Sequence, residues 1–157
     1  MTVNDTLPPR RATSSDAESI RVLVREAYSK WVGVIGREPK PMEADYGVAV
    51  RDHLVWVLED AGVLVAVLEL IPHEDHVLIE NIAVVPMRQK RGFASRLMRL
   101  AETQAREFGM IELRLYTNEH FVDNLEFYAR LGYAETHRQP FRGSDTVYMT
   151  KRIDFPA

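Results

Sequence analysis

The 157-residue chain contains no cysteine, which removes disulfide frameworks, thiolate nucleophiles and thiolate metal sites. It has no apolar run approaching the roughly 18 residues of a membrane span, and its start, MTVNDTLPPRR, lacks the charged-then-apolar order of a secretory signal. A cytoplasmic protein with no membrane partner is the expectation. Nor is there a basic excess: 20 Lys and Arg stand against 23 Asp and Glu, a net charge of −3. Domains that bind a phosphate backbone usually carry a positive surplus, so nucleic acid is set aside as a partner and a cationic substrate is favoured. No internal repeat, low-complexity tract or interdomain linker interrupts the chain. With 46% hydrophobic residues, one domain over 1–157 is expected, burying roughly 70% of its extended surface, with a loose polar leader at 1–7.

What is present centres on Leu78 to Leu97, LIENIAVVPMRQKRGFASRL. An apolar strand ends at Pro86, a basic loop follows with Gly92, and an amphipathic helix begins. A strand that delivers a glycine loop to a helix N-terminus gathers unpaired N–H groups and the positive end of the helix dipole at one point. An anion site, for phosphate, is expected there. Without a Gly-Lys-Ser/Thr ending, and with antiparallel strands before it, the stretch is not a nucleotide-hydrolysing P-loop.

In chain order, Pro8–Thr13 reads as a short edge strand, where proline is tolerated. Ile20, Leu23, Val24, Ala27 and Tyr28 repeat at helical spacing behind Ser14, Ser15 or Asp16 as cap, predicting a helix from about Asp16 to Trp31. Val32 to Tyr46 holds Gly33, Gly36, Pro39 and Pro41 and reads as a long loop, either a plain connector or a wall of the substrate site. A helical turn or two over Ala44–Asp52 leads to three antiparallel strands, His53–Glu59, Val63–Ile71 and His76–Val85, with a hairpin turn at Asp60–Gly62. A helix over Gly92–Phe108 presents Phe93, Leu97, Leu100, Ala101, Gln104 and Phe108 as its apolar stripe. A strand through Ile111, Leu113 and Leu115 then implies a parallel crossover pair. A helix containing Leu125, Phe127, Tyr128 and Leu131 follows, and a hairpin of Tyr133–Gln139 and Val147–Ile153 closes the chain.

Two blocks in this order resemble a known family. Gln89, Gly92 and Ala94 fall on the fixed positions of the Gln/Arg-x-x-Gly-x-Gly/Ala signature of the GCN5-related N-acetyltransferases (GNAT). Downstream, Asn124-Leu125-Glu126-Phe127-Tyr128-Ala129-Arg130-Leu131-Gly132-Tyr133 looks like that family's Asn...Tyr-x-x-Leu-Gly-Phe/Tyr helix. The resemblance covers about His53 to Ile153. It implies an α/β (α+β) GNAT fold: a mixed, mostly antiparallel sheet of six to seven strands, a central parallel splay of the fourth and fifth strands, and about four helices. It also implies acetyl-CoA as cosubstrate. Backbone amides of Gln89, Lys90, Arg91, Gly92, Phe93 and Ala94 would hold its pyrophosphate, and Ile82, Ala83 and Val84 would pair with the pantetheine arm. Small side chains at Gly92 and Ala94 suit close approach, and Arg88, Lys90 and Arg91 add positive charge.

Acetyl transfer from a thioester to an amine needs a deprotonated amine and a proton for the departing sulfur. By the resemblance, Tyr128 donates that proton, and Asn124, one helical turn earlier, bonds the pantetheine arm. Asn118 serves the arm or caps the helix. Glu80, or a water relay, is the base; alternation puts Glu80 and Ile82 on one strand face and Asn81 and Ala83 on the other. One departure stands out. Where the branch acetylating protein N-termini often carries a glutamate, twelve residues before the tyrosine, this chain has Tyr116.

Ile35 to Tyr46 resembles a loop of a bacterial GNAT subgroup that lies over the acceptor side. There Glu43 and Asp45 would attract a cationic amine, and Trp31, Met42 and Tyr46 would pack its apolar part. The expected function is N-acetylation of a small-molecule primary amine by direct attack in a ternary complex. The alternatives are a non-catalytic acyl-CoA-binding module, or acetylation of a protein lysine or N-terminus. His73 and His76 with Glu74 and Asp75 read as a polar turn and not a metal site, and the C-terminal hairpin is a candidate homodimer surface.

Overall fold

The computed structural model describes residues 8–154; the leader expected at 1–7 lies outside them. Twelve elements run in order: β1 (Arg10–Arg11), α1 (Ala17–Ile35), α2 (Lys40–Glu43), α3 (Tyr46–Asp52), β2 (Leu54–Asp60), β3 (Val63–Pro72), β4 (Val77–Val84), α4 (Phe93–Glu107), β5 (Glu112–Asn118), α5 (Val122–Arg130), β6 (Ala134–Phe141) and β7 (Ser144–Arg152). Single 3-10 turns cover Ser14–Asp16 and Pro86–Arg88. The strands form one seven-stranded sheet in the order β1-β2-β3-β4-β5-β7-β6. Its β4–β5 pair is parallel, as expected. No helix among the described residues is long and apolar enough to cross a membrane.

The chain divides into two compact units, Met1–Leu70 with Asn81–Leu100, and Ile71–Glu80 with Ala101–Ala157. In the first, Ile20, Leu23, Val24 and Ala27 of α1 pack with Tyr46 and Ala49 of α3 against Val55, Val57, Val67 and Ala83 from three strands. That stripe is the one the helical spacing predicts. The helix runs four residues further, however, to Ile35. Gly33 stays helical, at a cost of about 1 kcal/mol, and the stop is Gly36, whose φ of 74° lets its N–H close on the Val32 carbonyl. The expected long loop therefore shrinks to a few residues around the short helices α2 and α3.

A buried polar chain pins those helices. Tyr28 Oη donates to Asn81 Oδ1 at 2.9 Å, Asn81 Nδ2 donates to Tyr46 Oη at 3.1 Å, and Tyr46 Oη donates to the Pro41 carbonyl at 2.6 Å. Arg25 adds a charged clasp to Glu38 at 2.6 Å and reaches the Met42 carbonyl at 3.1 Å. At the far side Arg10 grips Asp16 through two hydrogen bonds, 2.9 and 3.0 Å, and Glu59 at 3.3 Å, tying β1 and the start of α1 to β2.

In the second unit β7 lies between β5 and β6, with Tyr116 opposite Tyr148 and Tyr148 opposite His137. Leu113, Leu115 and Thr117 are buried while Arg114, Tyr116 and Asn118 are half-buried, the alternation of a strand with one core face. β6 is exposed along its whole length. Helix α4 contributes to both units. Its buried residues are Phe93, Leu97, Met98, Ala101 and Ala105, a stripe rotated from the expected one. Phe108 falls beyond the last helical residue and is exposed, and Met98 and Ala105 take the core positions assigned to Leu100 and Gln104.

Candidate active site

At the end of β4 the Val85 N–H still bonds the Val65 carbonyl, after which Pro86 starts the 3-10 turn. Gln89 turns back, and its Nε2 donates to the Val84 carbonyl at 3.0 Å, fixing the loop to the strand. Lys90 and Gly92 both have positive φ, 64° and 87°. Alternation of this kind swings successive N–H groups toward one side, an anion-binding nest. A non-glycine residue in that region carries strain of order 1–2 kcal/mol, and nothing in the sequence pattern announced it at Lys90. The first helical bond of α4 runs from Arg96 N–H to Gly92 C=O, so the amides of Gly92, Phe93, Ala94 and Ser95 have no partner within the helix.

Charge at this loop is divided. Arg88 is bound to Asp60 at 2.9 Å, whereas Lys90 and Arg91 are exposed and form no ion pair among the described residues. A Cβ added at Gly92 would meet nothing within 4 Å; the loop is open where close approach is needed. Of the residues expected along the pantetheine arm, Ile82 is half-buried and Ala83 and Val84 are buried.

On α5, Asn124 and Tyr128 are one turn apart and share a face. Tyr128 is only 7% exposed, its ring against Phe127 and Tyr133 with centroids at 5.5 and 6.1 Å. Its hydroxyl has no hydrogen-bond partner among the described residues, and burial pushes its pKa upward, so the phenol stays protonated throughout the physiological range. Tyr133 is a second buried phenol, pushed up by burial and by the nearby Glu102 carboxylate. Its oxygen is sealed from solvent and unpartnered. Asn118 is bonded at both ends of its amide: its Nδ2 donates to Ser144 Oγ at 2.8 Å and its Oδ1 accepts the His120 N–H at 2.9 Å.

The β4–β5 ladder pairs Val77–Ile79 with Leu113–Leu115 and ends there, although both strands continue. Just past its last rung, Tyr116 Oη donates a hydrogen bond to Glu80 Oε1. The Tyr116 ring lies 5.8 Å from that of Tyr148, which stacks on His137 at 4.3 Å. Sequence reasoning marked position 116 but gave the residue no task. It placed Tyr28 in the stripe of the first helix and Asn81 on a strand face without pairing them; an asparagine inside LIENIAVV was the available signal.

The residues expected on the acceptor side separate into two sets. Trp31, Met42 and Tyr46 are buried, and Lys30 Nζ sits 4.8 Å from the Trp31 ring centre. Glu43 and Asp45 are exposed, and Asp45 Oδ1 caps α3 by accepting the Val48 N–H at 3.1 Å. At the β3–β4 turn the His73 and His76 rings stack at 4.6 Å, with His76 Nδ1 bonded to Asp75. Among the described residues no group of three or more His, Asp or Glu is placed to hold a metal ion.

A mixed seven-stranded sheet with one parallel step, and a strand-loop-helix turn with positive φ at Lys90 and Gly92, define the class of fold as α/β. A model of the Acetyltransferase (GNAT) family matches residues 18–133, and the chain belongs to that family. Solved structures share its fold. PaiA N-acetyltransferase from Thermoplasma acidophilum, in complex with coenzyme A, has a TM-score of 0.80 at 19% identity, covering 97% of this chain and 99% of that one. The ribosomal-protein-S18-alanine N-acetyltransferase of Escherichia coli gives 0.73 at 16% identity, with 97% and 96% covered. A GNAT family acetyltransferase from Elizabethkingia anophelis with acetyl-CoA bound gives 0.72 at 14%, with 96% and 99% covered. No curated protein matches the sequence.

Proposed function

We propose that the chain works in the cytoplasm as an acetyl-CoA-dependent N-acetyltransferase on a small-molecule primary amine. The observation that carries this reading is the open nest at Lys90–Gly92 leading into α4 in a member of the acetyltransferase family. The residues fit a diphosphate: backbone amides of 90–94 as donors, with the Gln89 amide already closing the turn on Pro86, Lys90 and Arg91 as uncommitted cations, and no side chain at Gly92 to obstruct approach. When bound, acetyl-CoA supplies the acetyl thioester. The backbone of Ile82, Ala83 and Val84, with the Asn124 amide, positions its arm; Asn118, already bonded at both ends, secures the turn after β5 instead.

Glu80 takes a proton from the amine nitrogen, directly or through a water, as that nitrogen forms its bond to the acetyl carbon. Tyr128 gives its hydroxyl proton to the sulfur as the carbon–sulfur bond breaks. Its buried, neutral, unpartnered hydroxyl supports this role over Tyr133, whose oxygen is sealed. Trp31, Met42 and Tyr46 shape the acceptor side from within, and Glu43 and Asp45 present negative charge to an approaching cation. The tied-down 36–46 segment supports a small acceptor. The E. coli neighbour that acts on an S18 alanine keeps a protein N-terminus as the second reading.

The test is a thiol-release assay across amines, polyamines, amino acids, aminoglycosides and peptides. Turnover with a small amine is expected. Acetyl-CoA binding with no acceptor consumed would establish a non-catalytic binding module, and turnover confined to peptides would establish the second reading. The exposed strand β6 is the proposed surface for a second copy, to be read from the mass in solution.

A further inference from the structure

We propose that Tyr116 is a positioning residue for Glu80, holding the carboxylate that removes the amine's proton; this rests on the reading of Glu80 as the base. Register carries the first part of the argument. Leu78 pairs with Arg114 and Ile79 with Leu115, so in a parallel pair Glu80 comes level with Tyr116, on the same face, one step beyond the last rung. At that step the backbone ladder has ended, and a side-chain hydrogen bond from Tyr116 Oη to Glu80 Oε1 takes its place.

The donor is held from behind. Tyr116, Tyr148 and His137 are successive cross-strand neighbours on β5, β7 and β6. Their rings form a ladder with centroids 5.8 and then 4.3 Å apart, the outer pair within 5° of parallel. Cross-strand aromatic pairs of this kind restrict ring motion, so the hydroxyl meets the carboxylate at a fixed place. With Oε1 occupied, Oε2 makes no hydrogen bond among the described residues and is the oxygen left to accept a proton.

Arg114, two residues before Tyr116 and on the same face of β5, is committed elsewhere. Arg114 is engaged by Glu112 and by Asp75, the latter at 3.6 Å. A guanidinium fork on Glu80 would lock both oxygens and lower the carboxylate's basicity. A single phenol orients it and leaves one oxygen open.

The experiment is a double-mutant cycle on turnover, using an acceptor that wild type acetylates, for wild type, Tyr116→Phe, Glu80→Gln and the double variant. Glu80→Gln is expected to lower kcat by about a hundredfold and Tyr116→Phe by about tenfold. In Tyr116→Phe, KM for the amine, affinity for acetyl-CoA and Tm should stay near wild type. In the Glu80→Gln background Tyr116→Phe should have no further effect, because its target is gone. Wild-type turnover in Tyr116→Phe would overturn the proposal, and so would a tenfold loss that persists in the Glu80→Gln background. Wild-type turnover in Glu80→Gln would remove Glu80 as base and this inference with it, leaving the acetyltransferase reading standing. Failure of wild type to acetylate any acceptor while binding acetyl-CoA would remove both. Should Tyr116→Phe not fold, Tyr148→Leu loosens the same ring from behind, with an expected loss of about threefold that Glu80→Gln again abolishes.

Discussion

Tyr46 and Tyr128 are buried almost alike, 4% and 7% exposed, and their hydroxyls are opposite in kind. Tyr46 accepts from Asn81 and donates to the Pro41 carbonyl, closing a network within the first unit. Tyr128 has no partner for its hydroxyl among the described residues and is kept protonated by its surroundings. A buried polar group without a partner costs about 1–3 kcal/mol. That cost falls on Tyr133, whose oxygen is sealed; the Tyr128 oxygen is not among the sealed atoms, and a proton donor needs a hydroxyl free for its substrate. The irregular segments repeat the contrast. In residues 36–46 Glu38 and Tyr46 are bonded into the unit, whereas in the 89–94 loop Lys90 and Arg91 are exposed and form no ion pair among the described residues.

The largest expected effect breaks that contrast at Tyr128. Tyr128→Phe should lower kcat by about a hundredfold while acetyl-CoA affinity measured by calorimetry stays within about twofold. Its Tm should stay near wild type, since no hydrogen bond within the described residues is lost and the ring packing is kept. A kcat equal to wild type would assign Tyr128 to packing.

Next in size is Gly92. Gly92→Asp places a carboxylate in the nest and a side chain at φ 87°. Acetyl-CoA should bind roughly tenfold or more weakly, through repulsion of its phosphates, with about 1 kcal/mol of strain in stability. Unchanged affinity by calorimetry would show that the diphosphate does not sit there.

The elements that carry the proposed donor side were legible because their pattern lies in consecutive residues. Gln89, Gly92 and Ala94 fall in a strand-loop-helix stretch, as the pattern predicts, and Asn124 and Tyr128 are one turn apart on a helix. The rest depends on partners far apart in the chain. Asn81 meets residues 53 and 35 positions away, and Tyr116 meets Glu80 across 36; no local period encodes such pairs. Strand alternation did separate Glu80 and Ile82 from Asn81 and Ala83. It was silent on which of them would be tied into the scaffold. Gly33 misled for a related reason: a glycine is permissive inside a helix as well as at its end, and only the backbone at Gly36 shows where α1 stops.

Tyr46→Phe should do the reverse of Tyr128→Phe. It removes a donor to Pro41 and leaves Asn81 Nδ2 short of an acceptor, at a cost of about 1–2 kcal/mol of stability, read as a lowered midpoint in urea. With the ring still in place, kcat should stay within about threefold and any kinetic change should fall on KM for the amine. A loss of kcat as large as that of Tyr128→Phe would end the distinction between the two phenols.

The smallest effect belongs to a cluster apart from both phenols. Asp16 accepts two hydrogen bonds from Arg10 and one, at 2.7 Å, from the Thr13 N–H. Chiefly through the Arg10 bonds, its carboxyl is held down at about 2, below the ordinary aspartate value near ~3.9. A carboxyl depressed in the folded state binds its proton more readily when unfolded. Its contribution is therefore complete above about pH 4 and disappears as the pH falls through about 2. Because the Arg10 side chain is 40% exposed, solvent screens the pair and the contribution at neutral pH is about 1 kcal/mol. Asp16→Asn should lower Tm slightly at pH 7, flatten the decline of Tm between pH 4 and pH 2, and leave kcat unchanged. An acid decline as steep as in wild type would move its origin from Asp16 to another carboxylate.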